Sequence, residues 1–136
     1  MPGARIALVL VLAFAGIALV GCGGDDDESD ATDTGAVTTI PAGTALAGSV
    51  GPGFDISLAT ADGDEVATLA PGEYTIDVDD QADIHNFHLT GPGVDEDSGV
   101  SETGMSSWTV TLEPGTYEFV CDPHSGSMNG SFEVTG

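Results

Sequence analysis

Toward the C-terminal end of the chain, the segment CDPHSGSM (residues 121–128) sets a thiol, an imidazole and a thioether at intervals of three and four residues. The chain holds only 2 Cys, 3 His and 3 Met among its 136 residues, so one of each within eight positions concentrates metal-ligand atoms. A thiolate and a thioether suit Cu(I), and an imidazole also suits Cu(II). Far upstream, His85 opens the alternating run His85, Phe87, Leu89 and shares their parity, so its ring should point inward. Cys121 shares parity with Tyr117 and Phe119, which aims its sulfur inward at the end of a strand. Pro123 and Gly126 turn the chain there, and a turning loop can bring His124 and Met128 back toward the sulfur. If both strand ends lie at one pole, His85, Cys121, His124 and Met128 converge. Two His and one Cys in a trigonal arrangement with a weak axial Met make a blue-copper electron-transfer site. Zinc would accept the Cys and His but gains little from Met.

Other residues compete for these roles. His88 has the opposite parity from His85 and should face outward; it becomes the ligand if the register is off by one. Met105, in GMSS, reads as packing rather than as a ligand. Asp95-Glu96-Asp97 could hold a hard cation, but a solvated loop is the simpler reading. Cys121 could be a buried small hydrophobe, His85 a satisfied polar residue at a strand end, and Met128 a core filler.

The elements that must position these residues are strands. Phe54, Ile56 and Leu58 alternate with polar residues, as do Tyr74, Ile76 and Val78, then Trp108, Val110 and Leu112, then Phe132 and Val134. Each set has the period of two that marks a strand with one buried face. Turn signals separate them, among them Gly51-Pro52-Gly53, Asp62-Gly63, Gly91-Pro92-Gly93 and Asn129-Gly130. Two segments echo each other, TLAPGEYTIDV (68–78) and TLEPGTYEFVC (111–121), and their shared T-L-x-P-G-x-Y resembles the tyrosine corner of Greek-key sandwiches. No stretch has a helical period. The expected fold is all-β, a Greek-key sandwich of six to eight strands over residues 46–136.

With these residues in place, the sequence resembles the cupredoxins, the family of plastocyanin, azurin and amicyanin, over roughly residues 46–136. The resemblance rests on His85-Asn86 at a strand start and on YEFVCDPHSGSM near the C-terminus. It implies one type 1 copper held by His85, Cys121, His124 and Met128. It also implies that Asn86 braces the Cys-bearing loop by hydrogen bonding, and that His124 reaches the surface as the electron port. The interval from His124 to Met128 is intermediate between the longer plastocyanin loop and the shorter amicyanin loop, which leaves the axial bond length open.

The N-terminal part is of another kind. Behind the single basic residue, Arg5, residues 6–20 (IALVLVLAFAGIALV) carry no charge. Fifteen apolar residues are short for a membrane span, which needs ~20, and with the basic start they read as an export signal over 1–21. Leu19-Val20-Gly21-Cys22 resembles the bacterial lipobox, which implies cleavage before Cys22 and lipid on its sulfur. That leaves Cys121 without a disulfide partner, as a ligand would be. Residues 22–45 include GGDDDESDATDTG, with six carboxylates in 25–33, and read as a disordered acidic tether.

The balance of 23 Asp plus Glu against one Lys or Arg excludes nucleic acid as a partner, because neutralising phosphates needs basic side chains. The leading expectation is a monomeric single-electron carrier, exported and anchored through Cys22 to the outer face of the membrane or its periplasmic side. Its redox donor and acceptor would carry basic docking surfaces. The alternatives are a copper-binding or delivery protein without a redox partner, and a metal-free interaction module. Catalysis by this chain alone is not expected, since copper oxidases of this fold need further histidines and only three His exist here.

Overall fold

The computed structural model describes residues 37–136. The expected signal segment, Cys22 and most of the acidic tether lie outside the described residues.

Among the described residues, alternation of apolar and polar side chains is realised as nine strands: β1 Leu46–Val50, β2 Ile56–Thr60, β3 Thr68–Leu69, β4 Gly72–Asp80, β5 His88–Gly91, β6 Val94–Asp97, β7 Gly104–Leu112, β8 Gly115–Val120 and β9 Asn129–Val134. β4 shows the logic: Tyr74, Ile76, Val78 and Asp80 are buried while Glu73, Thr75 and Asp77 face water. The strands form two mixed sheets, ordered β2-β1-β4-β7 and β3-β9-β8-β5-β6. β1 runs parallel to β4 and β3 parallel to β9; the other pairs are antiparallel. The two inner faces meet in one core, a Greek-key β-sandwich filled by Tyr74, Ile76 and Val78 from one sheet and Leu89, Tyr117, Phe119 and Phe132 from the other. Phe87 stacks on Phe119 at 5.5 Å and Tyr117 on Phe132 at 5.2 Å, so much of that core is aromatic.

The echoed segments do the same job twice. Tyr74 donates its hydroxyl to the Ala70 carbonyl at 2.7 Å, four residues back. Tyr117 stands at the same offset from Glu113, accepting its N–H at 2.9 Å, and donates to the Pro92 carbonyl at 2.9 Å. Each tie lets a buried ring keep its polar atom satisfied while pinning the entry to a strand. Gly115 begins β8 at φ +151, and a Cβ there would come within 2.7 Å of Pro92 Cγ, so the corner requires glycine.

Four sequence expectations change. Phe54 is not part of β2: it lies in the loop 51–55, closed by Gly51 N–H to the Asp55 carbonyl at 2.9 Å, and is 65% exposed. Asp95-Glu96-Asp97 is not a solvated loop but most of β6, an edge strand anchored by buried Val94 and paired with β5. Met105 does not pack; it sits 70% exposed on β7 opposite Asp79. Backbone pairing also reaches back before residue 46. Ile40 donates to Thr68 O and accepts from Ala70 N, and Gly43 donates to Glu73 O, so this end of the acidic segment is stitched to β3 and β4.

Candidate metal centre

The first ligand candidate arrives by an irregular route. β4 ends at Asp80; Gln81 N–H then donates to Val50 O and His85 N–H to Ala82 O, which folds the chain into a turn before β5. His85, Asn86 and Phe87 precede the β5 ladder and are all fully buried. Their backbone is held by Ser98, which accepts from Phe87 N–H at 2.8 Å through its hydroxyl, donates that hydroxyl to Asp80 at 2.7 Å, and gives its own N–H to Phe87 O. The backbone of Gly51, at φ +76, lies against the His85 ring, and a Cβ there would stand 3.1 Å from His85 Cδ2.

The second cluster arrives at the end of β8. Cys121 continues the inward parity of Tyr117 and Phe119 and is fully buried. A 3-10 turn follows over Asp122–His124, with Pro123 in its first turn. His124 N–H donates to Cys121 O at 3.0 Å, Met128 N–H to His124 O at 2.9 Å, and Cys121 N–H to Met128 O at 2.9 Å. The loop therefore closes on itself and returns Met128, fully buried, beside Cys121. Asn129 locks it further by donating its side-chain amide to Ser125 O at 2.7 Å.

These routes meet at one pole. His85 Nδ1 and His124 Nδ1 are 3.1 Å apart, and Cys121 Sγ is 3.5 Å from each. His85 Nε2 is buried without a hydrogen-bond partner, so this imidazole turns its one polar contact edge toward the cluster. Metal–nitrogen bonds near 2.0 Å and metal–sulfur bonds near 2.3 Å in a trigonal plane would separate the nitrogens by about 3.5 Å and each nitrogen from sulfur by about 3.8 Å. The observed triangle is a few tenths of an ångström smaller on each edge, which fits an ion at its centre. Two imidazoles and a thiolate converge in this triangle; with the thioether of Met128, buried and tied by its backbone to Cys121, they make up the donor set of type 1 copper.

A hydrogen-bond layer supports the ligands. Asn86 accepts from Asp122 N–H at 2.8 Å and donates both of its N–H groups, to Asp122 at 2.7 Å and to Asp97 at 2.8 Å. It therefore ties the residue after Cys121 to the end of β6, with every polar atom of its side chain engaged. Asp122 also approaches His88 Nδ1 at 3.1 Å, and His88 Nε2 lies 2.8 Å from Asp95. The hydrogen bond to Asp95 raises the His88 pKa; partial burial works against this, and Asp122 and the charge of Asp97 add to it. Asp122 is held below the usual carboxylate value chiefly by Asn86, against some desolvation, with His88 assisting.

The structure thus brings together His85, Cys121, His124 and Met128 with Asn86 behind them. It keeps His88 out of the triangle and places Met105 on another strand, far from the ligand loop in sequence. Sequence reasoning missed Asp122, Asp97 and Ser98 as supports, since a carboxylate or hydroxyl in an acidic chain gives no signal by itself. It also missed Phe54, whose ring lies edge-to-face against His85 at 5.6 Å and against His124 at 5.0 Å.

Comparison with known proteins bears on this site. The family described as copper binding proteins, plastocyanin/azurin family, matches residues 65–135. No curated protein matches the chain. Solved structures of rusticyanin are similar to it: one of the reduced protein is 20% identical, covering 72% of this chain and 81% of that one at a TM-score of 0.47. One from Thiobacillus ferrooxidans is 22% identical, covering 72% and 79% at a TM-score of 0.46.

Proposed function

Because this chain belongs to the plastocyanin/azurin family of copper-binding proteins, we propose that it works as a single-electron carrier outside the cytoplasm. The observation that supports the reading most is the triangle of His85 Nδ1, His124 Nδ1 and Cys121 Sγ, with sides of 3.1, 3.5 and 3.5 Å. Copper bound there supplies a one-electron centre that alternates between Cu(II) and Cu(I). The chain's own residues would hold the ligands to such a centre in one arrangement. His85 and Cys121 are fully buried on opposite routes through the fold, the loop 121–128 is closed by its own backbone, and Asn86 clamps Asp122 to Asp97. A site that does not rearrange exchanges electrons with little reorganisation. His124 is half-buried where its three partners are buried, which makes it the natural point of electron entry and exit.

The cellular setting extends the proposal. The apolar run 6–20 and Leu19-Val20-Gly21-Cys22 support export and a lipid anchor at Cys22, with the acidic segment after it as a tether. The excess of carboxylates favours basic docking surfaces on donor and acceptor. Replacing Cys22 by Ser should release the protein from membranes, which fractionation would read; a variant that stays membrane-bound would remove the anchor from the proposal.

The central test is optical. Adding Cu(II) to the purified domain should give an intense blue or green colour from thiolate-to-copper charge transfer, and reversible one-electron bleaching with a reductant. Cys121→Ser should stay pale. A wild type that remains colourless and binds zinc tightly instead would overturn the copper carrier. Coloured protein that releases copper to a chelator faster than it exchanges electrons would point to copper delivery.

A further inference from the structure

Phe54 is an apolar ring left in water. Among the described residues the exposed large hydrophobic side chains are Val37, Phe54, Ile84, Val100 and Met105, and Phe54 is the aromatic one. Exposure of a single apolar side chain is ordinary, so what sets Phe54 apart is what its ring touches. Its neighbours are the two imidazoles. Phe54 meets His85 at 73° and His124 at 86°, while the imidazoles meet each other at 70° with centroids 4.8 Å apart. All three pairs are edge-to-face, the arrangement aromatic rings prefer. The loop that carries Phe54 is itself fixed to the site: Gly51 N–H closes it onto Asp55 O, and the bare backbone of Gly51 rests on the His85 ring. His85 is fully buried and His124 half-buried, and both rings lie edge-to-face against a ring that is 65% exposed, so Phe54 sits where the two imidazoles approach solvent.

We infer that Phe54 is a positioning residue for the metal centre. Its ring fixes the planes of both ligand imidazoles and excludes water and small external ligands from the metal. The inference rests on the copper reading above and adds to it a named residue from outside the ligand motifs. The apolar shell around a metal site governs solvent access and local polarity, and through them the redox potential. One thiolate, two neutral imidazoles and a thioether leave the oxidised site with a net positive charge and the reduced site neutral. Water admitted through a missing Phe54 therefore favours the oxidised form, and the potential falls. The same opening gives an anion such as azide a path to the metal and gives copper a path out.

The test uses Phe54→Ala, Phe54→Leu and Phe54→Trp beside wild type, with Met105→Ala as an exposed apolar control on another strand. In metal-free protein, NMR of the imidazole C–H protons should show them displaced by the Phe54 ring current in wild type. They should return toward ordinary positions in Phe54→Leu and stay displaced in Phe54→Trp. In copper-loaded protein, Phe54→Ala should have a lower potential, a spectrum altered by azide at concentrations that leave wild type unchanged, and copper release to a chelator faster by about tenfold or more. Phe54→Trp should restore all three, and Met105→Ala should match wild type. Equal potentials, azide insensitivity and release rates in Phe54→Ala and wild type would overturn the inference while leaving the copper site intact. If wild type itself shows no thiolate band with Cu(II), the copper reading fails. The ring-current shifts then still decide whether Phe54 orients the imidazoles.

Discussion

Cys121 is held on both sides of its peptide, by Met128 through its N–H and by His124 through its carbonyl, so the sulfur has little freedom to follow a change of metal charge. The same economy separates His85 from His88. They are three residues apart, yet one is buried in the ligand triangle and the other bridges Asp95 and Asp122 at the surface. His85→Ala should abolish the copper colour and His88→Ala should leave it nearly unchanged, as absorption spectra would show; the reverse would mean a register slip. His88 should instead appear in the pH dependence of stability. Its folded pKa is raised above its ordinary 6.5, first by Asp95, so its contribution is complete below 6.5 and is lost as pH rises through the raised value. Asp122 is lowered from 3.8, first by Asn86, so its contribution is present above 3.8 and is lost as pH falls through the lowered value. Both are in place between about pH 4 and pH 6.5, and denaturant unfolding of the metal-free domain should become easier above that window. His88→Ala should flatten the alkaline decline. The effect should be small, since the Asp95 side chain is 83% exposed. An unchanged alkaline slope in the variant would show that the bridge does not contribute.

At the scale of elements, parity carried most of the information. β4, β8 and β9 bury the residues their alternation marks, β7 buries Val110 and Leu112 while Trp108 is half-buried against the core, and Cys121 extends the inward row of β8. The same rule failed at Phe54, because alternation continues across the loop 51–55 while a single backbone bond from Gly51 to Asp55 turns the chain out of the sheet. It also failed for β6, whose carboxylates read as loop although a two-sided edge strand can carry them once Val94 is buried. At the site, the ligand types and spacing and the bracing Asn86 were legible, whereas the partners Asn86 takes, Asp122 and Asp97, and the Ser98–Asp80 link come from residues distant in sequence. The repeated T-L-x-P-G-x-Y was legible as a corner and has a measurable consequence. Tyr117→Phe keeps the ring stacked on Phe132 but leaves the Glu113 N–H and the Pro92 carbonyl without their partner, at a cost of about 1–3 kcal/mol. Equilibrium unfolding should show that loss while the copper spectrum stays as in wild type. A variant as stable as wild type would mean that water replaces the hydroxyl.

At the scale of the whole molecule, charge dominates. The chain carries a formal net charge of -22, and no Lys or Arg follows Arg5. The ion pairs among the described residues involve only His88, so the carboxylates face one another with little internal compensation. A surface of one sign repels itself and steers what approaches it, changing association rates by factors of ~10 to 1,000. The field extends about a Debye length, ~8 Å near physiological ionic strength and ~30 Å at 0.01 M, so salt is the variable that switches it off. The proposed electron exchange should follow. A cationic reductant should react with the oxidised protein fast at low salt and more slowly as salt is added. An anionic reductant of similar potential should start slow and speed up. At the proposed point of contact, Phe54 and the half-buried His124 add no carboxylate, which weakens the local effect but leaves the long-range field in place. Stopped-flow bleaching of the copper band with both reagents across a salt series reads the two slopes. Slopes of opposite sign would match a carrier that selects basic partners through its field. Rates flat in salt for both reagents would show that the acidic surface does not govern the encounter, and the proposal of a basic partner would fall with it.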